Sequence, residues 1–152
     1  MNGCAMRAGK KFPYDNHPIY YESCGAGKPL LLHGNTASSR RLDPIIPMPA
    51  EKHRVITMDC LGCGRSDRLA ARPADLWYEW ARQVHALCAH LALSKVYLVG
   101  TSGGALAAEY PQLVRAAALG ITPILIAADP ASDVETPYLK IRALRELLQE
   151  WI

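Results

Sequence analysis

The sequence predicts an α/β fold, a mainly parallel sheet flanked by helices. Three observations predict it. Short β-rich runs alternate with helical segments, several of those runs are wholly apolar as in strands buried on both faces, and one intervening helix carries a continuous apolar stripe. In order, Pro18-Ile-Tyr-Tyr-Glu22 alternates like a first strand, and Gly25-Ala-Gly27 turns it into the apolar run Pro29–Leu32. Pro44, Pro47 and Pro49 restrict any helix between Leu42 and Ala50 to a short one. Val55–Met58 and Val96–Val99 are further buried strands. Between them a helix is expected over about Ala74–Leu93, with Leu76, Trp80, Val84, Leu87 and Leu91 on one side. Leu113–Leu119 reads as another strand, approached through Tyr110-Pro111. A last helix spans 136–152, with Thr136 as N-cap, Pro137 at the first helical position, and Ile141, Leu144, Leu148 and Trp151 on its buried side.

The chain has 152 residues, 17 Lys+Arg against 14 Asp+Glu, half its residues apolar and a fifth charged, which fits one domain over 1–152. No stretch approaches the ~18 uninterrupted apolar residues of a membrane span, and 1–11 lacks the apolar block of a signal peptide. The net charge of +3 is spread out, with only Lys10-Lys11 and Arg40-Arg41 paired, so neither nucleic acid nor a membrane surface is an expected partner. Five irregularly spaced cysteines are not a secreted disulfide framework, and a reducing cytoplasm is expected. Cys60 and Cys63 invite a metal or redox reading, but a zinc site needs about four ligands and no second paired motif exists. No metal and no cofactor are expected.

The sharpest chemical feature is Gly100-Thr101-Ser102-Gly103-Gly104, a G-x-S-x-G run directly after a predicted strand. Strand, tight turn and helix in that order lift a serine hydroxyl out of the sheet on a strained corner. Gly100 and Gly104 avoid collisions with the neighbouring strand and helix, and the positive end of the following helix favours a developing anion at Ser102. Two more segments follow apolar strands upstream: Leu32-His33-Gly34-Asn35, and Asp59-Cys60-Leu61-Gly62-Cys63-Gly64-Arg65-Ser66-Asp67.

With these three motifs in order, the chain resembles the α/β-hydrolase family from about Ile19 to Leu119. The resemblance implies Ser102 as nucleophile, the backbone N–H groups of Asn35 and Gly103 as the oxyanion hole, and His33 and Gly34 as residues that shape the loop. It also implies that Asp59, Gly62, Gly64 and Ser66 fix a turn beside the site. The expected activity is hydrolysis of esters or related acyl compounds, with a small-molecule acyl substrate and no cofactor. Carbon–halogen-cleaving relatives share the HGN wording but use an aspartate followed by tryptophan, where this chain has Ser102 and Gly103. The five residues Gly62-Cys63-Gly64-Arg65-Ser66 also resemble prolyl iminopeptidases.

A serine nucleophile needs a base, normally a histidine oriented by a carboxylate, and in this family the order is Ser, acid, His. All five histidines (His17, His33, His53, His85 and His90) precede Ser102. The resemblance therefore implies a truncated fold without the last strands, in which 136–152 is either a terminal helix or the start of the lid. Asp129 or Asp133 is the candidate acid; capping or flanking the last helix is the alternative for both. His85 and His90 are expected to face solvent rather than to replace the base. A non-catalytic remnant that keeps a ligand pocket is the second reading, and a CxxC metal or redox protein the third. Without further strands, Leu113–Leu119 becomes an exposed sheet edge through which the chain is expected to self-associate.

Overall fold

A computed structural model describes residues 7–33, 38–71, 73–101 and 109–120. Six strands form one sheet in the order β1-β2-β4-β3-β5-β6: β1 Ala8–Tyr14, β2 His17–Cys24, β3 Lys28–His33, β4 His53–Met58, β5 Val96–Thr101 and β6 Val114–Gly120. β2 pairs antiparallel with both β1 and β4, whereas the β3–β4, β3–β5 and β5–β6 pairs are parallel. A 3-10 turn (Ser39–Leu42) and a four-residue helix α1 (Pro47–Ala50) lie between β3 and β4. The longer helix α2 (Leu76–His90) lies between β4 and β5.

The sheet starts one strand earlier than Pro18–Glu22. β1 escapes pattern reading because only Phe12 is buried in it, while Gly9, two lysines and Pro13 break any alternation. It is an edge strand, the one place where proline and unpaired N–H groups are tolerated. Its hairpin to β2 turns through Asp15 and Asn16, both at positive φ (44° and 64°), as a two-residue primed turn requires.

Alternation along β3 assigns its side chains to two cores. Leu31 joins Ile56, Leu98, Ile19, Phe12 and α2, whereas Leu30 and Leu32 join Val55, Val99, Ile46 and Ala50 on the α1 side. Helices thus cover both faces of the central parallel strands, which explains why their middles are dominated by apolar residues.

The helix expected over Ala74–Leu93 forms at Leu76–His90. The Asp75 carboxylate caps it by accepting from the Tyr78 N–H at 3.0 Å, and Ala92, at φ 54°, ends it. Trp80, Val84 and Leu87 are buried as the stripe requires, while Leu76 and Leu91 are half-buried at its ends. Trp77 and Trp80 pack edge to face 5.3 Å apart within the same helix. The expected helix at 136–152 lies outside the described residues. Among those residues, no helix is long and apolar enough to cross a membrane, and β6 ends the sheet on its side.

Leu87 is fully enclosed between α2 and the sheet. Leu87→Ala is expected to lower unfolding free energy by about 2–5 kcal/mol in urea denaturation, from lost transfer energy plus the cavity left behind.

Candidate functional site

The order of the strands singles out one place on the sheet. From β3 the chain crosses to β4 on one side, and from β5 it leads to β6 on the other, so connections leave the carboxyl ends of two adjacent strands in opposite directions. Open α/β sheets bind their ligands in the crevice at such a reversal. β3 and β5 end there in register, with Leu32 opposite Val99 and His33 opposite Gly100. A Cβ at Gly100 would run into the backbone carbonyl of His33, so only glycine permits this approach.

His33 is buried, and its Nδ1 has no hydrogen-bond partner among the described residues. Burial lowers its pKa to about 4, so the ring is neutral at physiological pH. Ser102, Gly103 and Gly104 on one segment, Gly34 and Asn35 on another, and Asp129 and Asp133 lie outside the described residues. Of the residues singled out in sequence for the site itself, His33 and Gly100 are the two the structure describes, and it brings them together.

The segment after β4 is built around Asp59, which has no exposed surface. Its Oδ1 accepts from the Ser39 N–H at 2.5 Å, and its Oδ2 from the Arg65 N–H at 2.8 Å and the Arg65 Nε at 3.1 Å. Gly64 turns at φ 49° directly against the carboxylate, where a Cβ would collide with it. Gly62, at φ 84°, faces open space, so its backbone conformation alone calls for glycine. The Ser66 hydroxyl donates to the Asp59 carbonyl and accepts from the Tyr20 N–H at 2.7 Å, tying the turn to β2. Sequence reasoning marked Asp59, Gly62, Gly64 and Ser66 here but missed the role of Arg65, whose side chain binds four acceptors. The guanidinium lies 3.8 Å over the Tyr20 ring and reaches Glu22 Oε1 at 2.6 Å, Tyr20 Oη at 3.0 Å and Ser39 Oγ at 2.9 Å.

A groove of about 490 Å³ opens beside this turn, lined by Leu61, Cys63, Arg68, Leu69, Leu76 and Trp80 among others. Burial pushes the thiol of Cys60 well up and that of Cys63 up, which disfavours the thiolate that metal or redox chemistry uses. Among the described residues no group of three or more His, Cys, Asp or Glu is arranged to hold a metal. Cys60, Cys63 and Cys88 are free.

The remaining histidines occupy packing positions. His17 Nδ1 lies 2.8 Å from Asp67 Oδ2, and His53 meets Tyr97 edge to face. His90 is exposed as expected but stacks on Phe12. His85 departs from the solvent-facing expectation: it is half-buried and stacks on Tyr110 with ring centroids 4.1 Å apart.

Burial by itself would raise the Asp59 pKa, but the hydrogen bonds from Ser39 and Arg65 outweigh it and hold the group below its ordinary 3.8. A carboxylate with a depressed folded pKa adds stability that is fully present above the unfolded value and is lost as pH falls through the folded one. Unfolding followed by urea titration should show this contribution intact above pH 3.8 and declining below it. Asp59→Asn should abolish that part of the acid sensitivity and lower stability at pH 7 by about 1.5–3 kcal/mol, the worth of hydrogen bonds to a charged group.

Comparison with known proteins agrees with this geometry. The "alpha/beta hydrolase fold" family profile matches residues 30–144. Proline iminopeptidase of Lactobacillus helveticus is 38% identical over 108 residues, which are 66% of this chain and 37% of that protein. The chain thus spans little more than a third of that relative. The solved structure of the epoxide hydrolase CorEH superposes with a TM-score of 0.70 at 27% identity, covering 87% of this chain and 48% of that one. A haloalkane dehalogenase loop variant from Bradyrhizobium elkanii gives 0.64 at 30% identity, covering 74% and 39%. The strand order, the glycine-mediated contact between β3 and β5 and the matched profile lead to one conclusion: this chain belongs to the α/β-hydrolase family.

Proposed function

We propose that this chain is the nucleophile-bearing part of a serine hydrolase that cleaves acyl compounds. Ser102 attacks the carbonyl of an ester or amide, and the N–H groups of Asn35 and Gly103 receive the oxyanion. Two fixed donors aimed at a forming oxyanion lower the barrier by about 3 kcal/mol each in comparable sites. The single observation that carries the reading is the reversal point between β3 and β5. The segment with Asn35 continues from His33 and the segment with Ser102 from Thr101, and these two strand ends are adjacent. Ester substrates fit this chemistry, and the relative named proline iminopeptidase adds the amide bond after an N-terminal proline as a second substrate class to test. Asp129 or Asp133 remains the proposed acid.

A second reading, a ligand-binding chain that acylates without turnover, is favoured by one observation: His33, the histidine at the reversal point, is buried with its pKa lowered to about 4. Labelling with a fluorophosphonate probe, read by peptide mass, separates the readings when paired with hydrolysis of p-nitrophenyl acetate and of proline p-nitroanilide. Labelling at Ser102 plus turnover, with turnover lost by several orders of magnitude in Ser102→Ala, is the expected result for a hydrolase. Labelling without turnover selects the second reading. A wild-type chain that leaves Ser102 unlabelled rules out both.

A further inference from the structure

Arg65 does more than the turn around it requires. The turn is already closed by the Gly62 N–H to Asp67 carbonyl, Cys63 N–H to Cys60 carbonyl and Ser66 N–H to Cys63 carbonyl bonds, and by the Ser66 hydroxyl on Asp59. None of these uses the Arg65 side chain. That side chain instead spans three elements. It holds Asp59 on the turn, Tyr20 and Glu22 on β2, and the hydroxyl of Ser39 at the start of the 3-10 turn. Ser39 is therefore gripped twice, by its own N–H on Asp59 and by its Oγ under the guanidinium, and it is buried.

Ser39 opens the 3-10 turn that follows the connection from β3. The other end of that connection, His33, is fixed by its parallel register against Gly100. We propose that Arg65, seated on Asp59, is a positioning residue for the oxyanion hole: by gripping Ser39 it anchors the far end of the connection that carries Asn35. This rests on the reading of Asn35 as an oxyanion donor. The planar guanidinium is what the task needs, because it presents donors in a fixed fork to four acceptors at once, which a lysine ammonium cannot do. Nothing in the arrangement touches substrate. The expected consequence is a change in transition-state stabilisation with ground-state binding left alone, because misplacing a catalytic donor by about 1 Å can lower rates about 10²-fold.

The experiment compares wild type with Arg65→Lys, Arg65→Met and Ser39→Ala. The last removes the Ser39 hydroxyl, both as acceptor from Arg65 and as donor toward Asp59, and keeps the Ser39 N–H on Asp59. Arg54→Met, which loses a bond to Ser23 on another part of the sheet, is the control. Fluorophosphonate inactivation of Ser102 is resolved into a binding constant and a limiting rate, and amide hydrogen exchange is followed in peptides covering 33–42. The proposal expects limiting rates about 10- to 100-fold lower in Arg65→Met and Arg65→Lys and lower in Ser39→Ala, with the binding constant within about two-fold of wild type. It also expects faster exchange confined to that segment, and neither change in Arg54→Met. Unchanged limiting rates in folded Arg65→Met and Ser39→Ala would overturn it, and so would unchanged exchange. A general slowing shared by Arg54→Met would also count against it. Should wild type not label at all, the Ser102 reading fails separately. Exchange then decides the grip itself: loosening over 33–42 in Arg65→Met or Ser39→Ala supports it, and no loosening refutes it.

Discussion

A carboxylate with no exposed surface can stay ionised only if donors meet its oxygens, and the carboxyl edge of this sheet is assembled around one, Asp59. The constraint propagates outward. Two of the donors are backbone N–H groups, from Ser39 and Arg65, so two separate stretches of chain must approach the same side chain. Gly64 must lack a Cβ, because the turn brings its α-carbon against the carboxylate. Arg65 must supply charge, and in doing so it reaches β2. The bonds that keep Asp59 ionised are thus the bonds that join β4, β2 and the connection after β3.

The second constraint is the narrow gap between β3 and β5. Parallel strands sit about 4.8 Å apart along the hydrogen-bonding direction, and that spacing normally leaves room for any side chain above or below the sheet. At the end of β5 the His33 carbonyl occupies the space a Cβ would need, so Gly100 is a requirement of the backbone path. The connections from these two strands diverge, so the contact that restricts residue 100 to glycine lies at the reversal point, the place where open α/β sheets bind ligands.

The legible parts of this molecule were those where one physical requirement dominates. Pro29–Leu32, Val55–Met58 and Val96–Val99 are predominantly apolar because helices cover both faces, and each lies in a strand. The α2 stripe is legible because burial of Trp80, Val84 and Leu87 imposes a helical period. β1 was not, because an edge strand with one buried residue carries no period; its signal was the Asp15-Asn16 turn. Among the site residues, Gly64 and Ser66 were marked by motif spacing, whereas Arg65 was invisible to it. Its role depends on Glu22 and Ser39, 43 and 26 residues away in the chain, and no local pattern encodes such a meeting. Likewise, facing solvent was a reasonable expectation for His85 from the helix alone, and Tyr110 overrides it from outside the helix.

The placement of the histidines bears on how Ser102 would lose its proton. His17 lies at the start of β2, and β4 and β3 stand between that strand and β5, a separation of about 14 Å at ordinary strand spacing. His53 begins β4 at the opposite, amino edge, where it pairs with Lys28. His85 is held by Tyr110, whose carbonyl accepts from Leu113 just ahead of β6, again at the amino edge. His90 is committed to Phe12 and Tyr21 on the far side of the sheet. His33 alone stands at the reversal point, and a base with a pKa of about 4 has little affinity for the serine proton near neutral pH. The hydrogen-bonded frame around Asp59 and Arg65 is thus built from described residues at the carboxyl edge, whereas none of the five histidines is placed there as an effective base.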